Sequence, residues 1–111
     1  VWAYDTRRAT LDLVYDAVAT AGILRHPDNL TVHARSGDLY VAEDGDDLQI
    51  VLLAAAAETR IIAPFVQLVG HDESEITGVA FSPDGRRLYF SSQRGRDGAT
   101  GMSFEVSGPF R

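Results

Sequence analysis

A chain of 111 residues has room for one domain-sized core, and 45% apolar with 23% charged residues is the balance of a folded rather than a disordered polypeptide. Sixteen acidic against ten basic residues leave a formal charge of −6 at pH 7, which repels phosphate backbones and argues against a nucleic-acid partner. Cysteine is absent, so disulfides and thiolate metal sites within the chain are excluded, and no apolar run reaches the roughly 18 residues of a membrane-spanning helix.

An acidic protein binds phosphorylated molecules only where metal ions or local arginines reverse the field. The chain opens on Val1-Trp2-Ala3-Tyr4, strand-like and without an initiator methionine, as expected of a sequence that starts inside a longer protein. Residues 1–5 predict a strand, 6–10 a polar turn, and the alternation of Leu11, Leu13 and Tyr15 with Asp12, Val14 and Asp16 a second strand. His26-Pro27-Asp28-Asn29 predicts a turn, since proline and the two Asx side chains favour one. Strands are expected at 30–33 and 39–42, joined by a turn at Ser36-Gly37-Asp38. The acidic run from Glu43 and Asp44 through Gly45 to Asp47 is expected as a loop, followed by strands at 48–53 and 60–66. Helix propensity competes only at 52–58, where four alanines stand in a row; the flanking β-branched residues favour a strand end and turn.

The plan then repeats. Strands are expected at 79–82 and 87–91 around the turn Pro83-Asp84-Gly85-Arg86, and Leu39-Tyr40-Val41 corresponds to Leu88-Tyr89-Phe90. Repeated four-strand units of this size are the mark of propeller blades. The expected fold is therefore all-β, with antiparallel four-stranded blades forming a partial β-propeller of about two blades of a larger ring. Residues 1–20 would end one blade, 27–70 form a second and 75–111 a third, partial one. A small self-contained β-sandwich is the competing architecture.

Polar residues gather at strand ends: Asp28 with Asn29, Glu43 with Asp44, Glu75 with Thr77, and Gln93 with Arg94 and Arg96. Carboxylate and amide oxygens of this kind suit hard cations such as Ca²⁺, which take about six to eight oxygen ligands. Each cluster also has a plainer reading, as a turn former or a solvated face. His26, His33 and His71 lack metal-ligand spacing, and Ser74, Ser91 and Ser92 show no His–Asp arrangement and no G-x-S-x-G in the sequence, so zinc and a hydrolase triad are not expected.

Four segments occur in order: Pro27-Asp28-Asn29-Leu30-Thr31-Val32, Gly37-Asp38-Leu39-Tyr40-Val41-Ala42-Glu43-Asp44-Gly45, Glu75-Ile76-Thr77-Gly78-Val79-Ala80-Phe81-Ser82-Pro83-Asp84-Gly85, and Phe104-Glu105-Val106-Ser107-Gly108-Pro109-Phe110. Together they resemble the C-terminal part of PhoX-type alkaline phosphatases. The resemblance implies a secreted, periplasmic or extracellular, metal-dependent phosphomonoesterase acting on a small phosphorylated substrate. It also implies further propeller blades as neighbours and a channel holding Ca²⁺ and Fe³⁺. Glu43, Asp44 and Glu75 match positions of the metal shell, with Asp28 and Asn29 behind them. The chain departs from the pattern at Ala42, often cysteine in relatives, and at Ser91-Ser92-Gln93-Arg94-Gly95, which stands where an Asn-x-Gln-His-Pro-Gly run is usual. Two other readings are a non-catalytic envelope propeller used for binding or as a scaffold, and a calcium-dependent lactonase-like propeller enzyme.

Overall fold

The computed structural model describes residues 1–19, 22–45, 47–55 and 60–110, and every regular element among them is a β-strand. In chain order these are β1 (Trp2–Asp5), β2 (Thr10–Leu13), β3 (Pro27–Val32), β4 (Leu39–Glu43), β5 (Gln49–Ala54), β6 (Ile61–Gln67), β7 (Ile76–Phe81), β8 (Arg87–Ser92) and β9 (Met102–Ser107). Each strand pairs antiparallel with its sequence neighbour, giving sheets β1-β2, β3-β4-β5-β6 and β7-β8-β9. The chain is all-β, with sheets of two, four and three strands consistent with partial propeller blades.

Alternation decides the faces. In the four-stranded sheet, Tyr40, Ala42 and Ile50 point one way and pack with Ile76, Val79, Leu88 and Phe90 of the three-stranded sheet. Val41, Val51 and Leu53 point the other way, against Tyr15 and Leu24 of the segment that precedes β3. The middle sheet is thus covered on both sides, and its inner strand β5 reads as an unbroken apolar run for that reason. Tyr15 adds a polar lock: its hydroxyl donates to the Leu24 carbonyl at 2.7 Å and accepts the Leu24 N–H at 3.0 Å.

Residues 27–29, expected as a turn, lie inside β3. Pro27 is tolerated because β3 is an edge strand and needs no N–H there. A bulge between Pro27 and Leu30 takes Asp28 and Asn29 out of the ladder. The same irregularity recurs in β7 between Thr77 and Ala80, where Gly78 adopts a left-handed φ of 66°. Strand β9 was not anticipated by alternation, because the Gly- and Ser-rich stretch before it hides its start. Of the expected strand end and turn at 52–58, the strand continues to Ala54, and residues 56–59 lie outside the described ones.

At one end of the two larger sheets an aromatic group ties them together. Tyr40 meets Phe65 and Phe81 edge-on at 5.0 Å, and Phe110 closes on Phe81 at 5.1 Å. The opposite end is where β3 and β7 begin and β4 and β8 finish, and there the polar residues collect.

Candidate functional site

Four acidic residues and one amide stand at this polar end, and the backbone sorts them. Glu43 and Asp44 are consecutive, so they project to opposite faces of the sheet. Glu43 shares the face of Val41 and is 1% exposed. Its Oε1 accepts the Arg25 N–H at 2.7 Å and its Oε2 the Gln49 N–H at 3.0 Å, so the carboxylate fastens the chain on either side of its strand. Asp44 still takes part in the ladder, donating its N–H to the His26 carbonyl at 3.0 Å, but its side chain emerges on the other face. There it meets Glu75.

Glu75 precedes β7, and its side chain is 16% exposed. Burial pushes its carboxyl above the ordinary range; a hydrogen bond with Asp44 and the Asp44 charge push it further. The Arg94 guanidinium pulls the other way, and the Asp28 charge adds a smaller upward push. Asp28, Asp44 and Glu75, from β3, the end of β4 and the entrance of β7, therefore share one electrostatic neighbourhood, with Arg94 beside them. Arg94 Nη2 lies 3.8 Å from Glu75 Oε1.

Asn29 bridges the two sheets. Its Nδ2 donates to Asp28 Oδ2 at 2.7 Å, and its Oδ1 accepts, at 3.4 Å, the N–H of Val79 that the β7 bulge releases. The bulges are what allow this: one aims Asp28 and Asn29 out of β3, the other leaves a donor for Asn29 to meet.

Below Glu75 and Arg94 lies a buried hydroxyl network that sequence spacing did not reveal. His71 Nδ1 and Ser92 Oγ are 2.8 Å apart, Ser92 and Ser74 hydroxyls are 2.8 Å apart, and Ser92 also accepts the Gly95 N–H at 3.2 Å. Ser74 Oγ accepts the Arg94 N–H at 2.9 Å. His71 and Ser92 are 21 residues apart in the chain, and only the pairing of β7 with β8 brings their segments together. Ser92 is fully buried, so this serine–histidine contact holds two loops and presents no nucleophile to solvent.

Oxygen donors alone make up the acidic group, a chemistry that fits a hard cation such as Ca²⁺ and offers nothing to a soft one. Among the described residues, no three His, Cys, Asp or Glu side chains are drawn to metal-ligand geometry. The group offers three carboxylates and an amide, where calcium takes about six to eight oxygens.

Comparison with known proteins gives one family. The family described as alkaline phosphatase PhoX matches residues 4–95, a span that runs from the end of β1 through β8 and includes every residue of the polar end named above. No curated protein and no solved structure matches the chain. With most of its length matched, the chain belongs to the PhoX alkaline phosphatase family, a family of metal-dependent phosphatases.

Proposed function

We propose that this chain supplies part of the metal shell of a PhoX-type phosphomonoesterase, with Asp28, Asp44 and Glu75 as carboxylate ligands, Asn29 as their organiser and Glu43 as the anchor of the strand that presents Asp44. The observation that carries the reading is the meeting of Asp44 and Glu75, which lie 31 positions apart in the sequence, within a chain of this family. Two carboxylates pressed together and partly desolvated are costly unless a cation neutralises them.

The cation we assign is Ca²⁺; Fe³⁺, also hard, would share the same donors. Further blades of the propeller would complete the coordination and the channel around it. The bound cation would draw phosphate oxygens to the site and stabilise charge that develops on them. By itself, this chain's incomplete share of the shell would be a weak site, of about 10⁻⁴–10⁻³ M; the setting we propose for the whole protein is periplasmic or extracellular.

Calcium titration by calorimetry tests this, together with hydrolysis of an aryl phosphate by the whole protein. Glu75→Gln and Asp44→Asn should each lower calcium affinity, and the phosphatase rate should fall in step. Unchanged affinity and rate in both variants would remove the ligand assignment. Calcium binding without hydrolysis by the whole protein would favour the non-catalytic binding module.

A further inference from the structure

Net charge poses a problem for a phosphatase site on this chain. A phosphate dianion approaching Asp28, Asp44 and Glu75 meets repulsion, which a cation shared among three carboxylates would offset only in part. A positive group with free donors has to stand beside them, and the described residues offer one.

Arg94 occupies that place. Its backbone N–H is fixed by Ser74 Oγ at 2.9 Å, and Ser74 is held by Ser92, which His71 and the Gly95 N–H hold in turn. Its Nη1 donates to the Glu73 carbonyl at 3.0 Å. The guanidinium is thus aimed by backbone and side-chain contacts together, while its side chain remains 51% exposed.

Its contact with Glu75 is poor for an ion pair. At 3.8 Å it exceeds hydrogen-bond length, and only one nitrogen takes part, where an arginine serving as counter-ion would present two donors to both carboxylate oxygens. Arg25, the other arginine whose backbone touches this end, sends its Nε to the Gly22 carbonyl at 3.2 Å. The Arg94 guanidinium therefore has donors to spare at the rim of the acidic group, with a rigid support behind them.

We propose that Arg94 is a phosphate-binding residue of this site, its solvent-facing N–H groups taking non-bridging oxygens of a phosphomonoester. The inference rests on the functional reading above and adds the group that recognises the substrate. A planar, permanently charged fork of donors suits a phosphoryl group.

The experiment is a pair of calorimetric titrations, inorganic phosphate and Ca²⁺, into the intact chain and its Arg94→Ala, Arg94→Gln and Arg94→Lys variants. Arg94→Ala and Arg94→Gln should weaken phosphate binding roughly ten- to hundredfold. Arg94→Lys should recover part of that loss. Calcium affinity should stay level or rise in Arg94→Ala and Arg94→Gln, because a positive neighbour is gone; an arginine that merely props the loop would lower both affinities. Arg94→Gln retains an N–H donor for Glu73 and keeps the test open if Arg94→Ala does not fold. Phosphate binding that survives in Arg94→Gln overturns the inference while leaving the cation reading intact. A wild-type chain that binds phosphate through Arg94 but takes no calcium sinks the cation reading and sustains this one. A wild-type chain that binds no phosphate overturns the inference outright.

Discussion

His33 Nε2 lies 3.2 Å from the carbonyl oxygen of Gly85, joining the turn of one sheet to the turn of the next across 52 residues. A carbonyl only accepts, so Nε2 carries a proton there, while Nδ1 lies 3.0 Å from the Ser36 hydroxyl. Gly85 has a left-handed φ of 70°, and a Cβ there would come within 2.8 Å of His33 Nε2. Gly37 has a similar φ of 74° with nothing near. Gly37→Ala should therefore show the left-handed penalty alone, about 1–2 kcal/mol. Gly85→Ala should cost more, and the excess should disappear in a His33→Ala background. Urea denaturation of wild type, Gly85→Ala, His33→Ala and the double variant measures this as a double-mutant cycle, with Gly37→Ala alongside; equal costs at the two glycines would deny the contact.

The Tyr15 hydroxyl satisfies both backbone groups of the fully buried Leu24. Tyr15→Phe keeps the ring and strands a buried N–H and C=O, so a loss of about 2–4 kcal/mol is expected. Tyr4→Phe, at a residue 62% exposed, is the control and should change stability by less than about 0.5 kcal/mol. Chemical denaturation would show it, and similar losses at both positions would contradict the assigned role.

Glu75 predicts a pH dependence in calcium-free buffer. Its carboxyl titrates above the ordinary 4.5, so in that window the folded chain holds a proton the unfolded chain has released. Stability is then fully present below about pH 4.5 and is lost as pH rises through the raised value. Glu75→Gln lacks the burden, so in chelator its Tm should exceed that of the wild type increasingly as pH climbs. Saturating calcium should reverse the order. A Tm difference that stays flat from acid to neutral pH would discard burial of the charge as its origin.

Asp97 runs the other way. Its Oδ1 accepts the N–H groups of Ala99 and Thr100 at 3.0 and 2.7 Å, and these hold the carboxyl down at about 2. The stability it adds is present above about pH 3.8 and fades as pH falls through about 2. Asp97→Ala should thus be less stable than wild type at neutral pH, with the gap closing in strong acid. Acid titration followed by near-ultraviolet circular dichroism reads it; a gap that persists at the acid end counts against the turn.

Much of the fold was legible because its code is local. Leu39-Tyr40-Val41 and Leu88-Tyr89-Phe90 each follow a Gly-containing turn with apolar, strand-favouring residues, and their likeness marked β4 and β8 as equivalent strands in successive sheets. Pro27 misled, because proline signals a turn unless the strand is at an edge, and edges are set by pairing rather than by composition. Strand β9 escaped for the converse reason, its onset blurred by the loop that Asp97 closes. At the polar end, Asp28, Asn29, Asp44 and Glu75 were legible as oxygen donors at strand ends and Arg94 as a polar residue at another, but the placement of Arg94 beside Glu75 and the His71–Ser92–Ser74 network were not. Their contacts span the chain and carry no fixed spacing; the repeat could have hinted at them, since it puts the end of β8 beside the entrance of β7.

The pair Glu43 and Asp44 makes the length of one short segment a matter of parity. Inserting or deleting a single residue between Gly37 and Glu43 would rotate the strand end by half a pleat. The anchoring carboxylate would swing out to the cluster, and its neighbour would be forced inward against Val41. Natural length changes here should come in even steps.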